Sequence, residues 1–161
     1  MIGREDAEAL IRKTLQDERR VRHSLAVAAR METLARGSGD DAETWYLTGL
    51  LHDIDLPRTM DDPAMHGILA RDMLAGLLPP ESIGAIMSHD HRTGIPAATE
   101  MARALIFADV LDNLRANVGM AEIGECARNN AWDALRGRFP GKEYHIGVVE
   151  AYWKRRPGIR I

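Results

Sequence analysis

The chain has 161 residues, 45% of them hydrophobic and 28% charged, with a formal net charge of −3. That length allows one domain with a sizeable core and that balance reads as soluble and globular, while the slight acidity argues against a general grip on nucleic acid polymers. No apolar stretch approaches the roughly 20 residues that span a bilayer, "MIGREDAEAL" is too acidic for a signal peptide, and the single Cys126 forms no internal disulfide and fits a reducing, cytoplasmic setting.

Strand signals are missing: aromatics are 5% of the chain and no alternating β-branched run occurs. The spacing instead predicts helices in succession. The first runs from Asp6 to about Arg19 around Leu10, Ile11 and Leu15. The second runs from about Val21 to Arg36, with Leu25, Ala28, Ala29 and Leu34 inward, and stops at "GSG". "DDAETWYLTGLLHD" opens with Asp40 or Asp41 as N-cap and continues to His52 and Asp53. After the loop "DLPRTMDD", Asp62 caps and Pro63 starts a helix through "AMHGILARDMLAGLL"; Pro80 repeats that device in "PPESIGAIMSHDH". "RTGIP" breaks the chain before "ATEMARALIFADVLDNLRA", a long amphipathic run that reads equally as core or as the face of a homodimer. Helices over about 120–136 and 142–154 and the basic tail "KRRPGIRI" complete an all-α, compact helical bundle of about seven or eight helices.

Several polar residues interrupt the apolar faces. His23 lies in "RRVRHSLAVAA", His52 and Asp53 in "GLLHDIDLP", His66 in "DPAMHGILA", His89 in "IGAIMSHDH" and Asp109 in "ARALIFADVLD". A buried carboxylate without a cation or strong donors is costly. Four histidines and two aspartates on core-facing stretches are hard to satisfy by mutual hydrogen bonds alone. A pair of divalent metals drawn from Fe, Mn, Co, Ni or Zn satisfies them directly, since neutral imidazole and carboxylate are their natural ligands, and helical bundles build dinuclear sites from inward side chains. Asp53, beside a histidine, is placed to bind two ions, one through each oxygen.

The order His23, His52-Asp53, His66, His89, Asp109 resembles the HD superfamily of metal-dependent phosphohydrolases, in the branch with two further histidines between the doublet and the last aspartate. The resemblance covers about residues 18–118. It implies one HD-type domain over 1–161, with C-terminal helices at about 120–154 packed on the motif core. It also implies that His23, His52, Asp53 and Asp109 hold one ion while Asp53, His66 and His89 hold the other. The implied activity is hydrolysis of a nucleotide or another small phosphate ester by metal-activated water. His52 and Asp53 then belong to the catalytic set.

Arg20 and Arg115 stand where the dinucleoside tetraphosphate hydrolases of the superfamily carry basic residues, which makes them candidates for phosphate contact. Both also read as surface arginines; Asp112 is either an orienting residue or the partner of Arg115. His91 is an alternative to His89 as ligand, or a general acid near the leaving group. Two positions depart from the family pattern. Asp55 stands where part of the superfamily has glycine in His-Asp-Ile-Gly. No lysine follows in "DIDLPR", where Arg58 supplies charge to a phosphate but no transferable proton. The same ligand order serves mixed-valent di-iron oxygenases that resemble inositol oxygenase, and a non-catalytic nucleotide- or metal-binding module stands as a third reading.

Overall fold

Helix α1 (Arg4–Leu15) ends where Gln16 turns left-handed at φ 53°, and Asp17 at once caps α2 (Glu18–Ser38), its carboxylate accepting the N–H groups of Arg19 at 2.9 Å and Arg20 at 3.4 Å. The helix read from Asp6 to Arg19 is therefore cut at Gln16, since its last residues belong to the next element. These elements come from a computed structural model, which describes residues 1–156, 158 and 159. Of the basic tail, Pro157, Arg160 and Ile161 lie outside the described residues.

Asp41 caps α3 (Ala42–Leu51), accepting the N–H of Glu43 at 3.1 Å, and α3 is buried continuously from Trp45 to Leu51. Next come the single turn α4 (Leu56–Thr59), a 3-10 turn over Pro63–Met65, and α5 (Ile68–Leu74). The sequence suggested one helix running on from Asp62. The chain instead breaks at His66, which is extended, and at Gly67, whose φ is 82°. Gly67 lies so close to the neighbouring segment that a Cβ there would sit 2.5 Å from the Ile86 carbonyl oxygen. Pro80 starts α6 (Pro80–Met87), and a 3-10 turn over His91–Thr93 precedes α7 (Glu100–Val118). The helix read over 120–136 divides at Asn130, left-handed at φ 50°, into α8 (Met120–Asn129) and α9 (Trp132–Arg138), and α10 (Glu143–Arg155) follows. No strand occurs among the described residues, so the chain is all-α as its periodicity suggests.

Contacts divide the chain into Met1–Ile106 and Phe107–Ile161. In the first unit α2 and α3 pack closely because Gly49 has no side chain: a Cβ there would lie 2.9 Å from Ala28 Cα and from Met31 Cγ. Val27, Ala28, Met31, Leu47, Leu50 and Leu51 are fully buried in these two helices. In the second unit Phe107 stacks on Tyr152 with centroids 4.5 Å apart, and Ile123, Trp132, Leu135, Ile146 and Val149 are buried. Cys126 is a buried free thiol. No helix among the described residues is long and apolar enough to cross a membrane.

Candidate metal centre

Four segments of the first unit each deliver one histidine to the same carboxylate. His23 comes from α2, His52 from the C-terminal end of α3, His66 from the break before α5, and His89 from just beyond α6. Asp53 Oδ1 lies 3.0 Å from His66 Nε2, 3.3 Å from His52 Nε2 and 3.6 Å from His89 Nε2, while Oδ2 lies 3.8 Å from His23 Nε2. The rings meet edge to face, with centroids 5.3 Å apart for His23 and His52, 5.1 Å for His52 and His89, and 4.8 Å for His66 and His89.

Local structure sets which nitrogen of each ring faces inward. His52 Nδ1 is 2.7 Å from the Gly49 carbonyl oxygen and His89 Nδ1 is 2.6 Å from that of Ile86, each three residues back. A carbonyl only accepts, so both Nδ1 atoms carry hydrogen and donate it. In the neutral rings the inward Nε2 atoms are then lone pairs, directed at a carboxylate oxygen. Lone pairs against a carboxylate repel, and a cation among them reverses the sign. His52, Asp53 and His89 offer donor atoms all within 4.8 Å of one another, and this donor set can hold a metal ion.

Without an ion, protons on the rings take the cation's part. Burial alone raises the Asp53 carboxyl, but positive charge on the adjacent His52 and hydrogen bonds from the protonated His66 and His89 hold it well below the usual carboxylate range. For His66, burial lowers the ring, and the hydrogen bonds to Asp53 and Asp55 outweigh it and push it up to about 10. Asp55 is wholly buried; its Oδ1 accepts from His66 Nδ1 at 2.9 Å and its Oδ2 accepts the N–H groups of Gly67 at 2.7 Å and Ala70 at 3.1 Å.

The other candidates are more exposed. Arg20, one turn before His23, lies 3.6 Å from Asp17 through Nε and 3.4 Å from Met60 Sδ through Nη2. Arg58 is exposed on α4, and His91 is exposed at the start of its 3-10 turn, Nδ1 3.8 Å from Asp90 Oδ1. In the second unit Arg115 Nε donates to Asp112 Oδ1 at 2.5 Å, the local pairing that the sequence allowed. Asp109 lies on α7, where Asn113 Nδ2 donates to its Oδ1 at 2.8 Å. The sequence reading put forward Asp112 to orient a ligand and overlooked Asn113, whose signal is its spacing of one helical turn from Asp109. It noted Asp55 only as a departure from a pattern and did not single out Gly67.

A family model described as "HD domain" matches residues 20–117. No curated protein matches the chain. A crystal structure from Clostridium acetobutylicum, described as a predicted HD superfamily hydrolase involved in NAD metabolism, is similar at a TM-score of 0.56 with 18% identity, covering 97% of this chain and 100% of that one. At that identity the likeness is one of fold.

Proposed function

The chain belongs to the HD-domain family, and from that premise we propose that it is a metal-dependent phosphohydrolase acting on a nucleotide or another small phosphate ester. We take residues 1–161 as one HD-type domain, placed in the cytoplasm. The observation that carries this reading is the buried Asp53 carboxylate with four imidazole nitrogens between 3.0 and 3.8 Å from it. Two divalent ions held there would supply an activated water and charge compensation for a phosphoryl group.

The residues divide the work as follows. His23, His52, Asp53 and Asp109 are the proposed ligands of one ion, with Asp109 assigned on residue order alone. Asp53, His66 and His89 are those of the other, and Asp53 bridges. Gly49 O and Ile86 O hold the rings of His52 and His89 so that Nε2 stays inward. Arg20, Arg58 and Arg115 are proposed to hold substrate phosphate, for which the planar guanidinium is suited. His91 is proposed to give a proton to the leaving oxygen. The description of the Clostridium relative as a hydrolase involved in NAD metabolism supports testing nucleotides first.

The test is metal content on protein purified without chelator, followed by phosphate release from a nucleotide panel. The expected result is about two transition-metal ions per chain and phosphate release, with Asp53→Ala and His52→Ala losing metal and activity together. Iron-loaded protein that consumes O₂ and releases no phosphate would replace this reading with an oxygenase. A nucleotide bound but never cleaved would replace it with a binding module.

A further inference from the structure

We infer that Asp55 is a positioning residue for His66, fixing the ring so that Nε2 is the nitrogen presented to metal. The inference rests on the reading that Asp53 and the surrounding histidines form a metal centre. His52 and His89 are oriented by the main-chain carbonyls three residues before them. His66 has no such carbonyl for its ring, because it is extended at φ −64° and ψ 128° between the 3-10 turn and α5. Its Nδ1 is met instead by a side chain from 11 residues upstream, Asp55 Oδ1 at 2.9 Å.

Every other contact of that carboxylate argues for the same role. Oδ2 is already engaged by the Gly67 and Ala70 N–H groups, which can only donate. They lie at the head of α5, whose N-cap residue Gly67 provides no capping side chain. Asp55 therefore caps α5 from a distance and is clamped in place by that helix. The Thr59 hydroxyl donates to the Asp55 carbonyl oxygen at 3.2 Å, so the oxygen 3.3 Å from His66 Nδ1 is a second acceptor for the same hydrogen. With Nδ1–H committed on that side, Nε2 is the atom that faces Asp53 Oδ1 at 3.0 Å. A carboxylate behind a histidine also makes its outer nitrogen a stronger metal donor than a carbonyl does. A glycine at this position could provide neither the cap nor the acceptor.

Asp55→Asn separates these roles. Whichever way the amide turns, its NH₂ faces either Nδ1–H of His66 or the two main-chain N–H groups, donor against donor. The experiment is a Co²⁺ titration of metal-stripped full chain, followed by calorimetry and visible absorption, in wild type, Asp55→Asn, His66→Ala and the double variant. The expected result is two binding steps in wild type, of which Asp55→Asn weakens one by about 10–100-fold and spares the other. In the His66→Ala background Asp55→Asn should have no further effect on ion binding, because the amide oxygen can keep the Gly67 and Ala70 N–H groups while its NH₂ meets no ring. Equal binding steps in wild type and Asp55→Asn would overturn the inference and leave the metal centre intact. Wild type that takes up no ion would overturn the metal centre and the inference with it. Should Asp55→Asn fail to fold, ring ¹⁵N shifts of Zn²⁺-loaded wild type decide the matter. Hydrogen on Nδ1 of His66 supports the inference, and hydrogen on Nε2 overturns it.

Discussion

Asp53 and His66 are best understood as one proton- or metal-neutralised pair. In metal-stripped protein the His66 ring, raised to about 10, keeps a proton that an ordinary histidine gives up near pH 6.5. A group whose pKa is higher in the folded state stabilises the fold fully below its unfolded value and loses that contribution as pH rises through its folded value. The contribution of His66 is thus complete below about pH 6.5 and fades toward pH 10. Chelator-treated protein should show a falling urea midpoint over that window and a His66 ring that titrates near its top; a ring titrating near pH 6.5 would refute the pairing. Gly67 is the other residue on which the geometry depends. Its φ of 82° and the 2.5 Å approach of any Cβ to the Ile86 oxygen leave no room for alanine. Gly67→Ala should lose about 1–3 kcal/mol of stability by urea unfolding, with weaker ion binding because the Asp55 carboxylate loses its Gly67 anchor.

Two helices position their proposed ligand histidines by the same device. α3 and α6 both run into the cluster at their C-terminal ends, and each orients its histidine through a carbonyl of its own last turn. The partial negative charge at a helix C-terminus favours a cation there, so the backbone adds to what the side chains provide. The seam between α2 and α3 holds His23 opposite the His52-Asp53 doublet, and Gly49 sets its spacing. Gly49→Ala would push Cβ to 2.9 Å from the Ala28 Cα, a backbone atom that cannot swing aside. We expect a loss of about 1–3 kcal/mol from overpacking. Gly84→Ala is the control on α6: no atom lies within 4 Å of its Cβ position, and replacing an exposed helical glycine should gain about 0.5–1 kcal/mol. Denaturation midpoints that move in the same direction for both variants would contradict this account of the seam.

Across the whole molecule, metal binding and folding should form one equilibrium, because the proposed ligands come from segments far apart in the chain. A divalent ion at about 100 times its dissociation constant should stabilise wild type by about 2.7 kcal/mol. Thermal unfolding with and without Mn²⁺ checks this, and Asp53→Ala should show no ion-dependent shift. The proposal of one domain over 1–161 has its own measure. Trp45 and Trp132 are buried in the first and second units, at 4% and 2% exposure. Variants in which one or the other reports unfolding should share a midpoint, and two separated midpoints would divide the chain.

The amino-acid sequence by itself determined the all-helical class, a helix start at Asp40 or Asp41, Pro80 as the opening residue of its helix, and the order of the histidines and aspartates. Those features depend on residues within a turn or two of one another: apolar spacing at 3.6 residues, a capping carboxylate, a proline that opens a helix. It also contained the local Asp112–Arg115 pair, three residues apart. Tertiary structure decided the rest. The break at His66 follows from Gly67 lying against Ile86, the role of Asp55 from its meeting with His66 and the head of α5, and the electrostatics of Asp53 from four rings on four segments. Apart from His52 beside Asp53, each of these depends on groups 11 or more residues apart whose approach is fixed only once the helices have packed, and no local period encodes that distance.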